Sequence, residues 1–242
     1  MSLTPIENER YDRQLNIDCW DQEKLRQAKV LIVGVGGLGG IAAAYLAAAG
    51  VGEIRLCDFD NIELSNLNRQ ILYSTKQIGL SKVKQACDHL NELNPEIKII
   101  AINQRLNEIN FHEHAADCDI VIDGLDNHVS RLMLNRAAYD AGIPYIYGAV
   151  NGWQGLASFF HPPSTPCLAC IMPELSTAEG PSPVFGAIPG VIGSFEAIEA
   201  IKHITGAGVT LAGKLLIYHG DNQETEILSI DKNPHCPICA IR

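Results

Sequence analysis

The sequence predicts an α/β fold: a Rossmann-like, doubly wound and mostly parallel sheet with an antiparallel C-terminal extension and a four-cysteine zinc site. Three observations lead to this prediction. Short, nearly continuous apolar strands alternate with helical stretches through residues 1–150, which is typical of a parallel sheet covered on both faces. A glycine-rich turn follows the first strand, and two Cys-x-x-Cys pairs lie in the last third of the chain.

The composition narrows the class of protein. The chain has 242 residues, of which 47% are hydrophobic and 19% charged, and this suits one globular α/β domain. The formal net charge of −10 disfavours non-specific binding to nucleic acid or to an anionic membrane. The N-terminus has no signal-peptide pattern, and no apolar stretch reaches the ~18 residues that a spanning helix needs. We therefore expect a cytoplasmic protein with no membrane partner.

The first 150 residues follow the order β-α-β-α-β-β-α-β of a doubly wound sheet. The predicted strands cover residues 29–33, 53–57, 97–102, 119–122 and 145–149. The predicted helices cover residues 41–49, 81–93 and 129–141, where apolar side chains recur on one side.

After residue 150 the pattern changes. Residues 155–160 predict another strand, and residues 162–190 predict a long proline-rich loop of the kind that is usually functional. Ser194 is predicted to cap a helix that ends at Thr205. Residues 214–219 and 224–230 flank Gly-Asp-Asn-Gln and predict a hairpin.

The glycine turn carries the first chemical motif, Gly34-x-Gly36-x-x-Gly39, between a strand and a helix. Glycines there let the backbone approach a phosphate, and the helix N-terminus supplies N–H donors. Asp58, at the end of the second strand, can accept hydrogen bonds from ribose hydroxyls. The motif predicts nucleotide binding over a plain glycine turn with a surface Asp, but it does not separate NAD from ATP.

A second motif runs from Asp58 to Gln70 as DFDNIELSNLNRQ and is followed by Lys82. An enzyme that cleaves between phosphates must neutralise the charge that develops on them, and an Arg fork and a Lys point charge do this. The alternative is that Arg69 makes a local salt bridge and that Lys82 lies on a solvated helix face.

Asp126 lies in the sequence DGLDN, just past the fourth strand, at the edge of the sheet where ligands bind. A carboxylate there can hold Mg²⁺ against ATP oxygens. The alternative is that Asp126 or Asn127 caps the following helix.

The two cysteine pairs, Cys167/Cys170 and Cys236/Cys239, can together supply four thiolates to one tetrahedral Zn²⁺. Such a shell has no open position, so the predicted role is structural: it ties the C-terminus to the proline-rich loop. A redox pair and an iron–sulfur cluster are the alternatives, and His235 is a possible substitute ligand.

Together these motifs resemble the ThiF/MoeB/HesA family, the prokaryotic relatives of ubiquitin-activating enzymes. The resemblance covers nearly the whole chain: RYDRQ, GVGGLGG, DFDNIELSNLNRQ, GLSK, DGLDN, both cysteine pairs and GVIGS. No P-loop and no Gly-x-Ser-x-Gly motif is present in the sequence.

The resemblance implies ATP-dependent adenylation of the C-terminal carboxylate of a ubiquitin-like sulfur-carrier protein that ends in Gly-Gly. It implies ATP and Mg²⁺ as cofactors, structural Zn²⁺, and a homodimer in which Arg13 reaches the triphosphate of the other protomer. Arg13, Arg69, Lys82 and Asp126 would be catalytic. The implied nucleotide-binding residues are Gly34, Gly36, Gly37, Gly39, Asp58, Asp60, Asn66, Arg69, Gln70, Lys82, Asp126 and Asn127. We expect a single domain, 1–242, with a nucleotide-binding core (1–150) and a zinc-containing, partner-binding part (151–242).

One departure from the family concerns cysteine. Many relatives carry a cysteine before the GVIGS segment, whereas residues 177–190 contain none. Because the chain also ends soon after Cys239, we expect the acyl-adenylate to pass to a separate sulfur donor protein. The alternatives are an NAD(P)-dependent oxidoreductase, a non-catalytic binding module and, within the family, a tRNA-modifying dehydratase or a peptide-adenylating enzyme.

Overall fold

A computed structural model describes residues 3–172 and 183–240 of the chain. Its helices are α1 (Pro5–Arg10), α2 (Asp12–Leu15), α3 (Gln22–Gln27), α4 (Gly39–Ala49), α5 (Lys82–Leu93), α6 (Glu108–Ala115), α7 (His128–Ala141), α8 (Leu168–Ile171) and α9 (Ala187–Thr205). Its strands are β1 (Lys29–Val33), β2 (Glu53–Cys57), β3 (Lys98–Ile102), β4 (Ile120–Asp123), β5 (Tyr145–Asn151), β6 (Gln154–Phe160), β7 (Lys214–His219) and β8 (Glu224–Ser229).

All these strands form one eight-stranded sheet in the order β3-β2-β1-β4-β5-β6-β7-β8. Strands β3, β2, β1, β4 and β5 run parallel, and β5 to β8 pair antiparallel. The fold class predicted from the sequence is confirmed. The strand order reverses between β1 and β4, and a doubly wound sheet opens its ligand crevice at that point.

The strand sequences explain why both faces of this sheet are covered. In β1, Val30 and Ile32 face a layer formed by α4, α5 and α9, while Leu31 and Val33 face α6 and α7. Val30, Leu31 and Ile32 are completely buried. A strand that is apolar at every position must be covered on both sides, which is why the periodicity of β1 lacks polar alternation.

The observed boundaries agree with the predicted ones at β1, β2 and β7 and shift by one or two residues at the other strands. The prediction for Ser194 is wrong, because α9 already begins at Ala187 and Ser194 lies inside it. The Ser194 hydroxyl donates to the Gly190 carbonyl oxygen at 2.7 Å, one turn earlier in the helix. Pro189 is tolerated because the N–H groups of a first turn have no helical partner.

The predicted loop over residues 162–190 is only partly a loop. It contains α8, and its last residues belong to α9. Residues 173–182, at its centre, lie outside the described residues, and they include residues 177–182 of the cysteine-free stretch 177–190. Helices α1, α2, α3 and α6 were not predicted.

Among the described residues, the structure has no helix with the length and apolar character that crossing a membrane requires.

Candidate functional site

A cavity of about 660 Å³ opens at the carboxyl ends of β1, β2 and β4. Its volume is within the range that small-molecule and cofactor sites span. The predicted site residues that line it are Gly34, Gly36, Gly37, Asp58, Asp60, Arg69, Gln70, Lys82, Asp126 and Asn127. Gly39, Asn66 and Arg13 are not among its lining residues.

The turn after β1 packs backbone against backbone with the turn after β4. A Cβ on Gly34, whose φ is +88°, would lie 2.5 Å from the Gly124 carbonyl oxygen, and a Cβ on Gly124 would lie 2.2 Å from that of Gly34. A Cβ on Gly39 would lie 2.0 Å from the Gly34 oxygen. Gly39 therefore permits close packing of the turn without lining the cavity.

The N–H groups of Gly36 and Gly37 have no hydrogen-bond partner among residues 3–172 and 183–240. They precede α4, whose N-terminus carries a partial positive charge. The turn thus offers free donors to an anion such as a phosphate.

Asp58 is buried and bonded to the backbone of the site. Its Oδ2 accepts from the Val35 N–H and its Oδ1 from the Asp60 N–H, both at 2.8 Å. Burial raises the pKa of Asp58, and these two N–H donors and the charge of Lys82 oppose that shift. The second lone pair of each oxygen can still accept a hydrogen bond from a ribose hydroxyl.

Lys82 begins α5 and is only 6% exposed, so the alternative of a solvated helix face is wrong. Its Nζ lies 3.1 Å from Asp60 Oδ2. The Asp60 side chain is half exposed, so this pair puts one ammonium and one carboxylate at the cavity wall.

Arg69 makes no ion pair in the described part of the chain, so the alternative of a local salt bridge is not supported. Its Nη1 donates to the Ser65 carbonyl oxygen at 3.0 Å and to Asn68 Oδ1 at 2.9 Å. Both acceptors are neutral. Arg69 therefore brings an uncompensated positive charge to the cavity wall.

Gln70 and Asn66 differ in the hydrogen-bond partners of their side-chain oxygens. Gln70 Oε1 is buried at the cavity wall with no hydrogen-bond partner in the described residues, so a ligand donor would satisfy it. Asn66 Oδ1 instead accepts from the Glu63 N–H at 3.0 Å and holds a short 3₁₀ turn. The contact of Asn66 with a phosphate stays a prediction.

The turn after β4 separates the two roles that the sequence left open. Asn127 Oδ1 accepts from the Ser130 N–H at 2.9 Å and caps α7. Asp126 is exposed, and its only described partner is Asn127 Nδ2 at 3.3 Å. Because Asn127 caps the helix, the carboxylate of Asp126 stays free at the cavity. Carboxylate oxygens are the donors that Mg²⁺ prefers, so the residues present suit that ion.

Arg13 lies far from the glycine turn of its own chain. It is exposed in α2, next to Tyr11, which packs against Gly50 at the C-terminal end of α4. The glycine turn is at the other end of α4, and a helix of 11 residues is about 16 Å long. Arg13 of the same protomer therefore does not line this cavity.

Sequence reasoning missed Arg131, which lines the cavity beside the turn of Asp126. Its Nε lies 3.7 Å from Oδ2 of Asp123, which is completely buried. Arg131 comes four positions after Asn127, the N-cap of α7, so both lie on one side of this helix, and this spacing could have identified it.

Sequence reasoning also missed the pair of Phe59 and Arg105 on the opposite wall. The Arg105 guanidinium lies 4.4 Å above the Phe59 ring centroid. Arg105 follows β3 in a segment without periodicity, so no pattern pointed to this contact.

The four predicted cysteine ligands converge at a second site, away from the cavity. The sulfur atoms of Cys167, Cys170, Cys236 and Cys239 all lie within 4.8 Å of one another. Cys167 Sγ is 3.6 Å from Cys236 Sγ, and Cys170 Sγ is 3.1 Å from Cys239 Sγ. A tetrahedral thiolate site with Zn–S bonds of about 2.3 Å has sulfurs roughly 3.8 Å apart, so the donor set suits such an ion.

Comparisons with known proteins agree with this geometry. The model of the ThiF family matches residues 11–238. The chain is 38% identical to the sulfur carrier protein adenylyltransferase of Thermus thermophilus, over 99% of this chain and 93% of that protein. It is 37% identical to the molybdopterin-synthase adenylyltransferase of Escherichia coli, over 98% of each chain. A crystal structure of E. coli MccB with ATP superposes with a TM-score of 0.81 at 27% identity, covering 90% of this chain and 68% of that one.

Proposed function

The chain belongs to the ThiF family, and from this premise we propose that it uses ATP to adenylate the C-terminal carboxylate of a ubiquitin-like sulfur-carrier protein. One observation carries the proposal: a buried lysine, Lys82, and an arginine without a carboxylate partner, Arg69, line the same cavity as the glycine turn. A site that only binds a dinucleotide does not require such cations, whereas a site that cleaves ATP does. The relatives described above are named adenylyltransferases.

The proposed chemistry is a single displacement at phosphorus. A carboxylate oxygen of the carrier attacks the α-phosphorus of ATP, the bond from that phosphorus to the pyrophosphate oxygen breaks, and an acyl-adenylate forms. No side-chain base is needed, because the nucleophile is already ionised. The step brings like charges together, so positioning and cationic neutralisation carry the catalysis.

In this proposal each residue at the cavity has one task. Asp58 would hold the ribose, and the free N–H groups of the glycine turn would receive a phosphate. Arg69 and Lys82 would neutralise the charge that moves onto pyrophosphate. Asp126 would hold Mg²⁺, which when bound would supply further positive charge to the phosphates. Asp60, Asn66, Gln70 and Asn127 belong to the proposed binding set as residues that shape the wall or its turns.

The four cysteines would hold Zn²⁺ as a structural ion, because a shell of four thiolates leaves no position for a substrate. A cytoplasmic setting belongs to the same proposal, since the ligands must stay reduced. We assign the zinc-containing part, residues 151–242, to partner binding.

A homodimer completes the proposed site. Arg13 cannot reach its own cavity, and the partner's copy of this residue would supply the further positive charge. Two-fold dimers are the commonest oligomers, and their symmetry would complete both cavities at once. The sulfur that replaces AMP would come from a separate donor protein.

ATP–pyrophosphate exchange tests the proposal. The enzyme is incubated with labelled pyrophosphate, Mg·ATP and each of a panel of sulfur-carrier proteins that end in Gly-Gly. We expect exchange with one carrier and none with the same carrier lacking its last glycine, because the shortened tail holds its terminal carboxylate roughly 3.5 Å short of the α-phosphorus. If ATP binds but none of the carriers supports exchange, the substrate would have to be a different carboxylate. NADH binding without ATP binding would favour an oxidoreductase.

A further inference from the structure

A buried polar network lies beneath the turn that presents Asp126. Asp123, at the end of β4, is completely buried. Its Oδ1 accepts from the Leu125 N–H at 2.9 Å, and its Oδ2 accepts from the Tyr145 hydroxyl. Arg131 approaches the same carboxylate from α7, and its Nη2 donates to the Leu125 carbonyl oxygen.

Leu125 is therefore held by both of its backbone polar groups. Asp123 binds its N–H and Arg131 binds its carbonyl, while Gly124, the residue before it, packs against the backbone of Gly34. Asp126, the residue after it, has only one described contact of its own, at 3.3 Å. The direction of the Asp126 carboxylate is thus set by the backbone of the turn.

A structural role alone does not account for the network. Replacing a buried ion pair by apolar residues of similar volume is often neutral or stabilising, so stability is a weak reason for Asp123 and Arg131 to be paired here. The pair sits three residues before Asp126 and in the first turns of α7, at the wall of the cavity. Supporting partners of this kind fix the orientation of metal ligands.

We infer that Asp123 and Arg131 are positioning residues that act through Leu125 to aim the Asp126 carboxylate, and that Tyr145 acts through Asp123. The inference rests on the proposed function, since it concerns the Mg·ATP of that reaction. None of the three residues needs to touch the nucleotide.

Calorimetric binding of ATP, with Mg²⁺ and with EDTA, tests the inference without a carrier protein. Tyr145→Phe removes one hydroxyl, and Arg131→Met removes the hold on the Leu125 carbonyl. We expect both variants to bind Mg·ATP about 10-fold to 100-fold more weakly and to bind ATP in EDTA as the wild type does. Should Arg131→Met fail to fold, Tyr145→Phe still decides the question.

Glu199→Gln is the matched control. Glu199 is also a buried carboxylate with two partners, Lys202 and the Leu211 N–H, but it does not line the cavity. We expect this variant to unfold more easily while its Mg²⁺ dependence stays that of the wild type. Equal weakening with and without Mg²⁺ in the Tyr145 and Arg131 variants, or no weakening, would overturn the inference. If instead no carrier supports pyrophosphate exchange, the proposed function fails while this binding difference stands.

Discussion

The nucleotide cavity and the four-cysteine cluster differ in whether their polar groups have partners within the protein. At the cavity, Arg69 has no ionic partner among the described residues, Gln70 Oε1 has no donor, and Asp126 has one weak contact. At the cluster, all four sulfurs face one another within 4.8 Å and are largely buried. Unpartnered polar groups on a cavity wall suit a ligand that binds and dissociates. A closed set of donor atoms suits a permanently bound ion.

The two regions also differ in the secondary-structure elements that position their residues. The cavity residues follow the parallel strands β1, β2 and β4, so the sheet aligns them. The cysteines lie in α8 and in the last described residues, outside the sheet. We expect an ion held by the four thiolates to join these segments, and the predicted consequence is that the cluster governs stability while the cavity governs activity.

Loss of the metal should have the largest effect on stability. We expect about one Zn²⁺ per chain by elemental analysis, because the four thiolates make one complete set. Cys239→Ser should lose the ion and lower the free energy of unfolding by several kcal/mol, since the binding energy of a structural zinc is folding energy. Cys19→Ser is the control, because Cys19 is exposed and outside the cluster. Metal-free protein from a chelator-free purification would contradict this prediction.

Changes at the cavity should have the largest effect on activity. We expect Arg69→Ala and Asp126→Asn to lower the exchange rate at least ~100-fold, because each removes a charge aimed at the phosphates. Their free energy of unfolding should change by less than about 0.5 kcal/mol, because Asp126 is exposed with one contact and Arg69 is partly exposed with neutral acceptors only. Asp221→Asn, in the exposed turn between β7 and β8, should keep full activity. Full activity in the Asp126 variant would refute its assignment.

The sequence predicted most of the nucleotide side of the molecule. β1 is apolar from Val30 to Val33 and is followed by glycine, while β2 is β-rich around Ile54 and Leu56 and is followed by aspartate, so their limits could be read directly. The cysteine cluster was predictable because each Cys-x-x-Cys unit already sets two ligands. The short helix α1 could also have been found, since Thr4, Pro5 and Glu7 form a capping box with proline in the first turn.

The remaining features depend on tertiary contacts. The start of α9 was hidden because Pro189 and Gly190 are typical of loops, yet both fit the first turn of this helix. The pairing of Arg131 with Asp123 follows from the packing of α7 on β4, which no local pattern encodes. The burial of Lys82 likewise depends on how α5 packs against the sheet, which the local sequence does not show.

Glu196 offers a third case beside the cavity and the cluster, because it is buried without a hydrogen-bond partner in the described residues but lines neither site. It is completely buried, and neither carboxyl oxygen has a hydrogen-bond partner among the described residues. Burial raises the pKa of Glu196 well above the ordinary glutamate value of 4.5, the nearby charge of Asp123 raises it further, and Arg131 opposes the shift. The folded protein therefore holds this proton more tightly than the unfolded chain does.

The sign of the pH effect follows from that difference. Below the unfolded pKa of about 4.5 both states are protonated, and above it only the unfolded state releases the proton readily, so stability falls as pH rises. Glu196→Gln removes this titration. We expect the variant to gain on the order of 1 kcal/mol over the wild type between pH 5 and pH 8, measured by urea unfolding. Parallel curves for the two proteins would show that Glu196 has a partner.

The position of α9 has a consequence for how the protein is made. α9 packs on α4 and on β5 and β6, and its Pro189 lines the nucleotide cavity. α4 ends at Ala49, whereas α9 begins at Ala187. At about 5–20 residues per second the ribosome would complete α4 roughly 7 to 28 seconds before it begins α9. During that interval the glycine turn is already synthesised, but one wall of its cavity is not. A nascent chain should thus gain its ATP site late, when α9 emerges and closes over the apolar face of α4.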